Sequence, residues 1–366
     1  MSYNKQKFSQ SEKGEFLSVL RKRVNEYLEI VGRSRYGNWT MVIKTIFMFA
    51  LYFSPYFLTM FGVVTNPAAV IILWMIMGLG MAGIGLSVSH DANHGSYSRK
   101  KWVNNWLGKS LNLMGANAEM WKLQHNVLHH TYTNIQSLDE DIDTPKFLRF
   151  SPHRERQGIH KFQFIYIWFF YGLTTLSWIT SKEFLQVNRY KKLGLIKDKK
   201  TYKSLLTELI VWKVLYFAYM LVLPLIFFPI AWWLILVAFF AMHFTAGMIL
   251  SLIFQTAHVM PDCEYPVVND EGIIENSWAV HEMQTTSNYA PKSRVFSWLI
   301  GGLNYQVEHH LFPSICHIHY KHISKIVAET AAEYNLPYHS QTNFVTAVWN
   351  HVKMLYRLGR LETQVA

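Results

Sequence analysis

Three groups of histidines carry the chemistry of this 366-residue sequence, which holds 17 histidines in all. His90 and His94 stand four apart in HDANH, so on a helix they share one face, a turn from each other. HNVLHH repeats that spacing in His125 and His129, and His130 is turned by about 100° from His129 if the segment is α-helical. One such motif can serve two metals. QVEHH sets His309 beside His310, with Gln306 one turn earlier. A lone exposed HxxxH is ordinarily a solvated helix face, but seven imidazoles in three such groups form a ligand set, and His258 in QTAH makes eight. A structural zinc closes its shell with four ligands, whereas eight nitrogens suit two metals with positions left open. Imidazole accepts zinc, copper, iron and nickel alike, so the donors leave the metal's identity open. The sequence has no Glu-x-x-His pair of the kind soluble di-iron bundles use, and HEMQT at 281–285 lacks the second histidine of a zincin.

The elements that must position these groups are membrane helices. Only 16% of residues are charged and 51% are hydrophobic, which argues against an ordinary soluble domain. No Asp, Glu, Lys or Arg occurs from Thr45 to His90, or from Val214 to Pro261. Each stretch is about twice the roughly 20 residues that cross a bilayer, so each predicts a hairpin of two spans. Breaks at Asn66–Pro67 and at Pro224 and Pro229 place the spans at about 43–63, 67–89, 210–229 and 231–254. Lys and Arg crowd the flanks, as in Arg21–Arg23, Arg99–Lys101 and 182–203, and are absent from the turns between spans. By the positive-inside rule those flanks, both termini and the histidines are cytoplasmic. The net charge of +11 is therefore a topology signal and not a nucleic-acid footprint. A third uncharged stretch, Phe162–Ser181, is rich in aromatics and is expected to lie in the interface, because a further crossing would put the third histidine group on the far face. The expected fold is an all-α integral membrane protein: four transmembrane helices in two hairpins, one domain over 1–366, with a cytosolic helical cap holding the histidines. No cleavable signal peptide is expected, and the two cysteines, Cys263 and Cys316, form no CxxC.

HDANH, HNVLHH and LNYQVEHHLFP resemble the three histidine boxes of the membrane fatty acid desaturase family, over nearly the whole chain. The glutamine opening the third box is similar to the front-end, delta-5/delta-6 branch, whose members are linoleoyl-CoA or acyl-lipid desaturases. The resemblance implies a cytosolic di-iron centre, molecular oxygen as oxidant and an acyl chain, as acyl-CoA or acyl-lipid, as substrate. Carried over residue by residue, it makes His90, His94, His125, His129, His130, His309 and His310 iron ligands. His258 falls where the wider family places an additional ligand. Gln306 stands where other desaturases have histidine, and His281 is the candidate to make up the missing imidazole. Asp91 and Glu308, inside boxes, could orient imidazoles. No HPGG motif of a fused cytochrome b5 occurs, so the electrons are expected from a separate ferredoxin or cytochrome b5-like protein.

Other features read blandly. GLGMAG at 78–83 fits a dinucleotide pattern, but it lies inside a span, where close helix packing explains Gly78, Ala82 and Gly85. Asp139, Glu140, Asp141 and Asp143 could pair with nearby basic loops or orient ligands, and by default are expected to be solvated. His317, His319 and His322 are expected to be packing or surface residues. A hydroxylase or alkane monooxygenase would use the same ligands, and the QVEHHLFP context favours desaturation over it. A metal transporter would place its histidines near the bilayer midplane, where this chain has no box.

Overall fold

The computed structural model describes residues 6–9 and 15–364. The termini themselves, expected to be cytoplasmic, lie outside the described residues. The chain runs through β1 (Lys7–Phe8), α1 (Phe16–Ile30), α2 (Trp39–Met60), α3 (Pro67–Asn93), α4 (118–132), α5 (Gly158–Leu193), α6 (Lys199–Phe227) and α7 (Trp232–His258). Beyond these come β2 (Ile273–Ile274), α8 (Trp278–Thr285), β3 (Ser287–Tyr289), α9 (Gln306–Leu311), α10 (Tyr320–Glu333), β4 (His339–Gln341) and α11 (Phe344–Leu358), joined by shorter turns. Five of these helices, α2, α3, α5, α6 and α7, are long and apolar enough to cross a membrane.

Four of the five match the expected spans. Asn38 and Asn66 cap α2 and α3, their side chains accepting from the N–H groups of Thr40 (2.9 Å) and Ala69 (3.1 Å), and Pro67 opens α3 where its missing N–H costs nothing. α6 starts at Lys199, well before the expected 210, because Asp198 caps it through Thr201 N–H at 2.8 Å and nothing polar in the first turns stops a helix. The fifth differs from expectation. The segment placed at the interface, 162–181, is part of the continuous 36-residue α5, which meets the same length and apolarity requirement as the others. A Gln157–His160 capping box starts it, and Gly194, at φ +80°, ends it in a left-handed turn.

The residues fall into two compact units. The first comprises Asn38–Leu123 and Trp168–Ser251. Small residues let its helix backbones touch: a Cβ on Gly80 would lie 2.6 Å from the Tyr52 nitrogen on α2, and one on Gly247 would lie 2.6 Å from the Gly172 carbonyl on α5. Buried polar side chains tie the same helices, since His243 on α7 bonds Tyr216 of α6 (2.6 Å) and Thr175 of α5 (3.1 Å). Isoleucine, phenylalanine and valine at Ile43, Phe47, Ile72, Val214 and Val237 point outward, as suits lipid.

The second unit comprises the residues up to Gly37, Gln124–Ile167 and those from Leu252 onward. Phe16, Leu20, Val24 and Leu28 recur every fourth residue on α1 and are buried with Ile323, Val327 and Ala331 of α10 and Val307 and Leu311 of α9. Arg23 grips Glu333 with two bonds, 2.8 and 2.7 Å. Two small parallel pairs edge this core, with Phe8 opposite Ile274 and Asn288 opposite Ser340. Arg149 is fully buried and donates to the carbonyls of Leu358 (2.5 Å) and Leu361 (2.7 Å), closing the end of α11 on residues some two hundred positions earlier.

Candidate metal centre

In the first unit, α3 widens into a π-turn over Ile84–Ser89 just before the first box. His90 and His94 follow with ring centroids 4.7 Å apart, both edge-on to Trp121 at 5.5 and 5.7 Å. They share a face, as their spacing requires. Asp91 is buried with its carboxylate 3.8 Å from His90 Nδ1.

The other six histidines of the set lie in the second unit. α4 is α-helical at its start and becomes a π-turn over Leu123–His129. That widening changes the expected grouping. In a π-turn residues five apart are neighbours, so His125 pairs with His130, their Nε2 atoms 3.2 Å apart, and His130 Nε2 is 2.9 Å from His309 Nε2. His129 also belongs to a triplet. His129, His258 and His310 each offer one nitrogen, all within 4.8 Å of one another, and all three side chains are buried. His125 also keeps a nitrogen within 4.8 Å of one on His129, and His130 stacks on His310 at 4.5 Å, so the three imidazoles of HNVLHH stay together and are not divided by helix face.

The hydrogen bonds at the far side of each ring fit a metal. His129 Nδ1 faces Asp139 at 3.1 and 3.2 Å, His310 Nδ1 faces Glu282 at 2.7 Å, and His258 Nδ1 faces the Thr285 carbonyl at 3.3 Å. An acceptor at Nδ1 fixes the proton there and leaves the Nε2 lone pair for a metal. The Nε2 atoms of His129 and His258 are buried without a hydrogen-bond partner, a cost that a bound cation would remove. Burial opposes charge on His129, but Asp139, Asp141 and Glu282 outweigh it and lift its imidazole to about 9. The same carboxylates favour a metal cation. Burial pushes the Glu282 carboxyl well above its usual range, while Thr133 donates to it at 2.9 Å.

Gln306 is fully buried on α9, one turn before His310, and neither atom of its amide has a hydrogen-bond partner. His281 is buried on α8 with both ring nitrogens unpartnered, its ring 5.4 Å from Phe8, and burial lowers it to about 4. Glu308 points elsewhere, to Asn288 (2.9 Å) and Tyr338 (2.8 Å). Two acids face these rings, the first expected by default to be solvated and the second not singled out by the sequence. Asp139 is no solvated acid: it is fully buried and accepts from Asn134 N–H (2.9 Å) as well as facing His129. Glu282, beside His281, carried a weak signal as a charge in the otherwise apolar run WAVHEM.

Comparison with known proteins agrees with this geometry. Residues 65–342 match the family model described as fatty acid desaturase. The chain is 33% identical to the sn-1 linoleoyl-lipid 6-desaturase of Synechocystis sp., covering 96% of this chain and 97% of that one. It is 33% identical to an acyl-lipid (8-3)-desaturase of Physcomitrium patens (97% and 74% covered) and 28% to a probable delta(5) fatty acid desaturase of Dictyostelium discoideum (97% and 78%). With three histidine boxes, five apolar helices and near full-length similarity to front-end enzymes, the chain belongs to the fatty acid desaturase family and is a fatty acyl desaturase of the front-end branch.

Proposed function

We propose that the double bond is made at a centre of two iron ions held by His90, His94, His125, His129, His130, His258, His309 and His310, with O2 as oxidant. His90 and His94 enter this reading on their HDANH motif and common face, the other six on the contacts among their rings. When bound, the ions supply the oxidising chemistry for an unactivated methylene, which no side chain can provide. The chain's own residues do the rest: Asp139, Glu282 and the Thr285 carbonyl hold protons on the Nδ1 atoms and so aim the ligands. Gln306 offers a buried amide toward the same helix face as His310 and takes the place of a ligand or of a water-binding group. His281 stays neutral in its buried site and is a reserve ligand. Turnover converts –CH2–CH2– with O2, two electrons and two protons into –CH=CH– and two waters, the electrons arriving from a separate ferredoxin or cytochrome b5-like protein. The names of the Synechocystis and Physcomitrium relatives specify acyl lipids, which favours an acyl-lipid over an acyl-CoA here.

One desaturase domain over 1–366, with four spans and its active face in the cytoplasm, is the arrangement we favour. His129 contacts His258 and His310 by ring centroids at 4.8 and 4.9 Å, so the chain between residues 132 and 258 crosses the bilayer an even number of times. Three apolar helices lie in that interval, and α5, whose C-terminal third carries Lys182, Arg189, Lys191 and Lys192, suits the interface best. The basic flanks support a cytoplasmic histidine-bearing side.

The observation that carries the metal reading is the His129, His258, His310 triplet with its Nδ1 acceptors. Purified protein should hold close to two irons per chain, and lipids of an expressing host should gain a new double bond. His129→Ala or His310→Ala should abolish both while leaving the protein in the membrane. A stable preparation with one zinc and no iron after metal-replete expression would defeat the proposal.

A further inference from the structure

A buried ion pair in the first unit sits against the start of the helix that carries the second histidine box. Glu183 on α5 and Lys213 on α6 meet at 2.8 Å, with side chains 1% and 7% exposed. Neither stops at the other. Lys213 Nζ donates to the carbonyls of Gly115 (3.0 Å) and Trp178 (2.9 Å), and Glu183 Oε1 accepts the backbone N–H of Asn117 at 2.6 Å. Asn117 is the N-cap of α4, and its own side chain accepts from Glu119 and Met120 N–H, both at 3.0 Å. The remaining amide of that first turn, Ala118 N–H, goes to Asn112 Oδ1 at 3.1 Å. Gly115 makes the approach feasible: at φ +81° it lies where a Cβ would fall 2.8 Å from both Ile179 and Tyr216.

An isolated salt bridge buried this deeply is a poor source of stability, because desolvation offsets most of the attraction. It is a good source of position, since three segments must be correctly placed for all four polar contacts to form at once. Trp121, in the turn that follows this cap, packs edge-on against His90 and His94 at 5.5 and 5.7 Å, so the direction of that turn sets what the first histidine box rests on.

We propose that Glu183 is a positioning residue for the first histidine box: held by Lys213, its carboxylate clamps the Asn117 N–H and fixes the turn of α4 that sets Trp121 against His90 and His94. The expected effect on metal rests on the di-iron reading above, whereas the clamp itself is testable without metal. Two double variants separate position from charge, because neither leaves a lone buried ion. E183Q/K213M keeps an acceptor oxygen for Asn117, and E183M/K213M does not. Both should reach the membrane at similar levels. E183Q/K213M should bind Fe(II) within a few-fold of the native protein, and E183M/K213M about 10- to 100-fold more weakly. In metal-free protein, hydrogen exchange at the amides of 117–121 should speed up in E183M/K213M and remain slow in E183Q/K213M. Equal exchange in the two variants would overturn the clamp. Unequal exchange in a native protein that binds no iron would uphold the clamp and sink the di-iron reading instead. Loss of melting temperature in both, with Fe(II) affinity per folded molecule unchanged, would reduce the pair to a structural tie and also overturn the proposal.

Discussion

His129 and His310 are held by the same device: a buried carboxylate at Nδ1, Asp139 in one case and Glu282 in the other. Both acids act through charge and through acceptor geometry, and an amide of equal size keeps only part of that. Asp139→Asn and Glu282→Gln should therefore each weaken Fe(II) binding about 10- to 100-fold, measured by metal titration of purified protein at unchanged folded yield. Native affinity in both variants would mean that the carboxylates only fill space. The clustering of histidines was legible because imidazoles repeated at helical spacing have few bland explanations. Their supporting acids were not. Among Asp139, Glu140, Asp141 and Asp143 nothing in the sequence tells which turns inward, a choice made by Asn134 at φ +60°, where the chain doubles back and presents its N–H to Asp139.

At the level of single helices, the π-turn at Leu123–His129 does most to decide ligand grouping. Spacing alone paired His125 with His129, which does hold; one extra residue in the turn brings His130 alongside His125 as well. Such turns are invisible in a sequence because tertiary contacts, not local propensity, stabilise them. Val127 points out of the turn and is 37% exposed. Val127→Ala should be almost silent, within about 0.5 kcal/mol. Inserting an alanine after Val127 adds a further residue to the turn and should swing His129 and His130 by about 100° relative to His125. Iron content should then collapse in the insertion variant while its membrane level stays close to native. Normal iron in that variant would show that the turn has no part in assembling the ligands.

Across the molecule, the hairpins were readable from two charge-free stretches, and α2, α3, α6 and α7 fall on them. The role of α5 was harder to read for a physical reason: an uncharged helix of this length has the same composition whether it crosses a bilayer or lies along its surface. Cysteine labelling from either side resolves it. Lys192→Cys and Lys321→Cys should react from one side and Thr65→Cys from the other; opposite sides for 192 and 321 would mean that α5 crosses. The Arg149 latch adds a matter of timing. Synthesis proceeds from the amino end, and all five apolar helices are complete at His258, yet His309 and His310 come some fifty residues later and the carbonyls that satisfy Arg149 later still, at Leu358 and Leu361. Insertion into the bilayer and assembly of the His129, His258 and His310 cluster are thus separate events in the life of the chain. A nascent protein is already a membrane protein well before it has the means to become an enzyme.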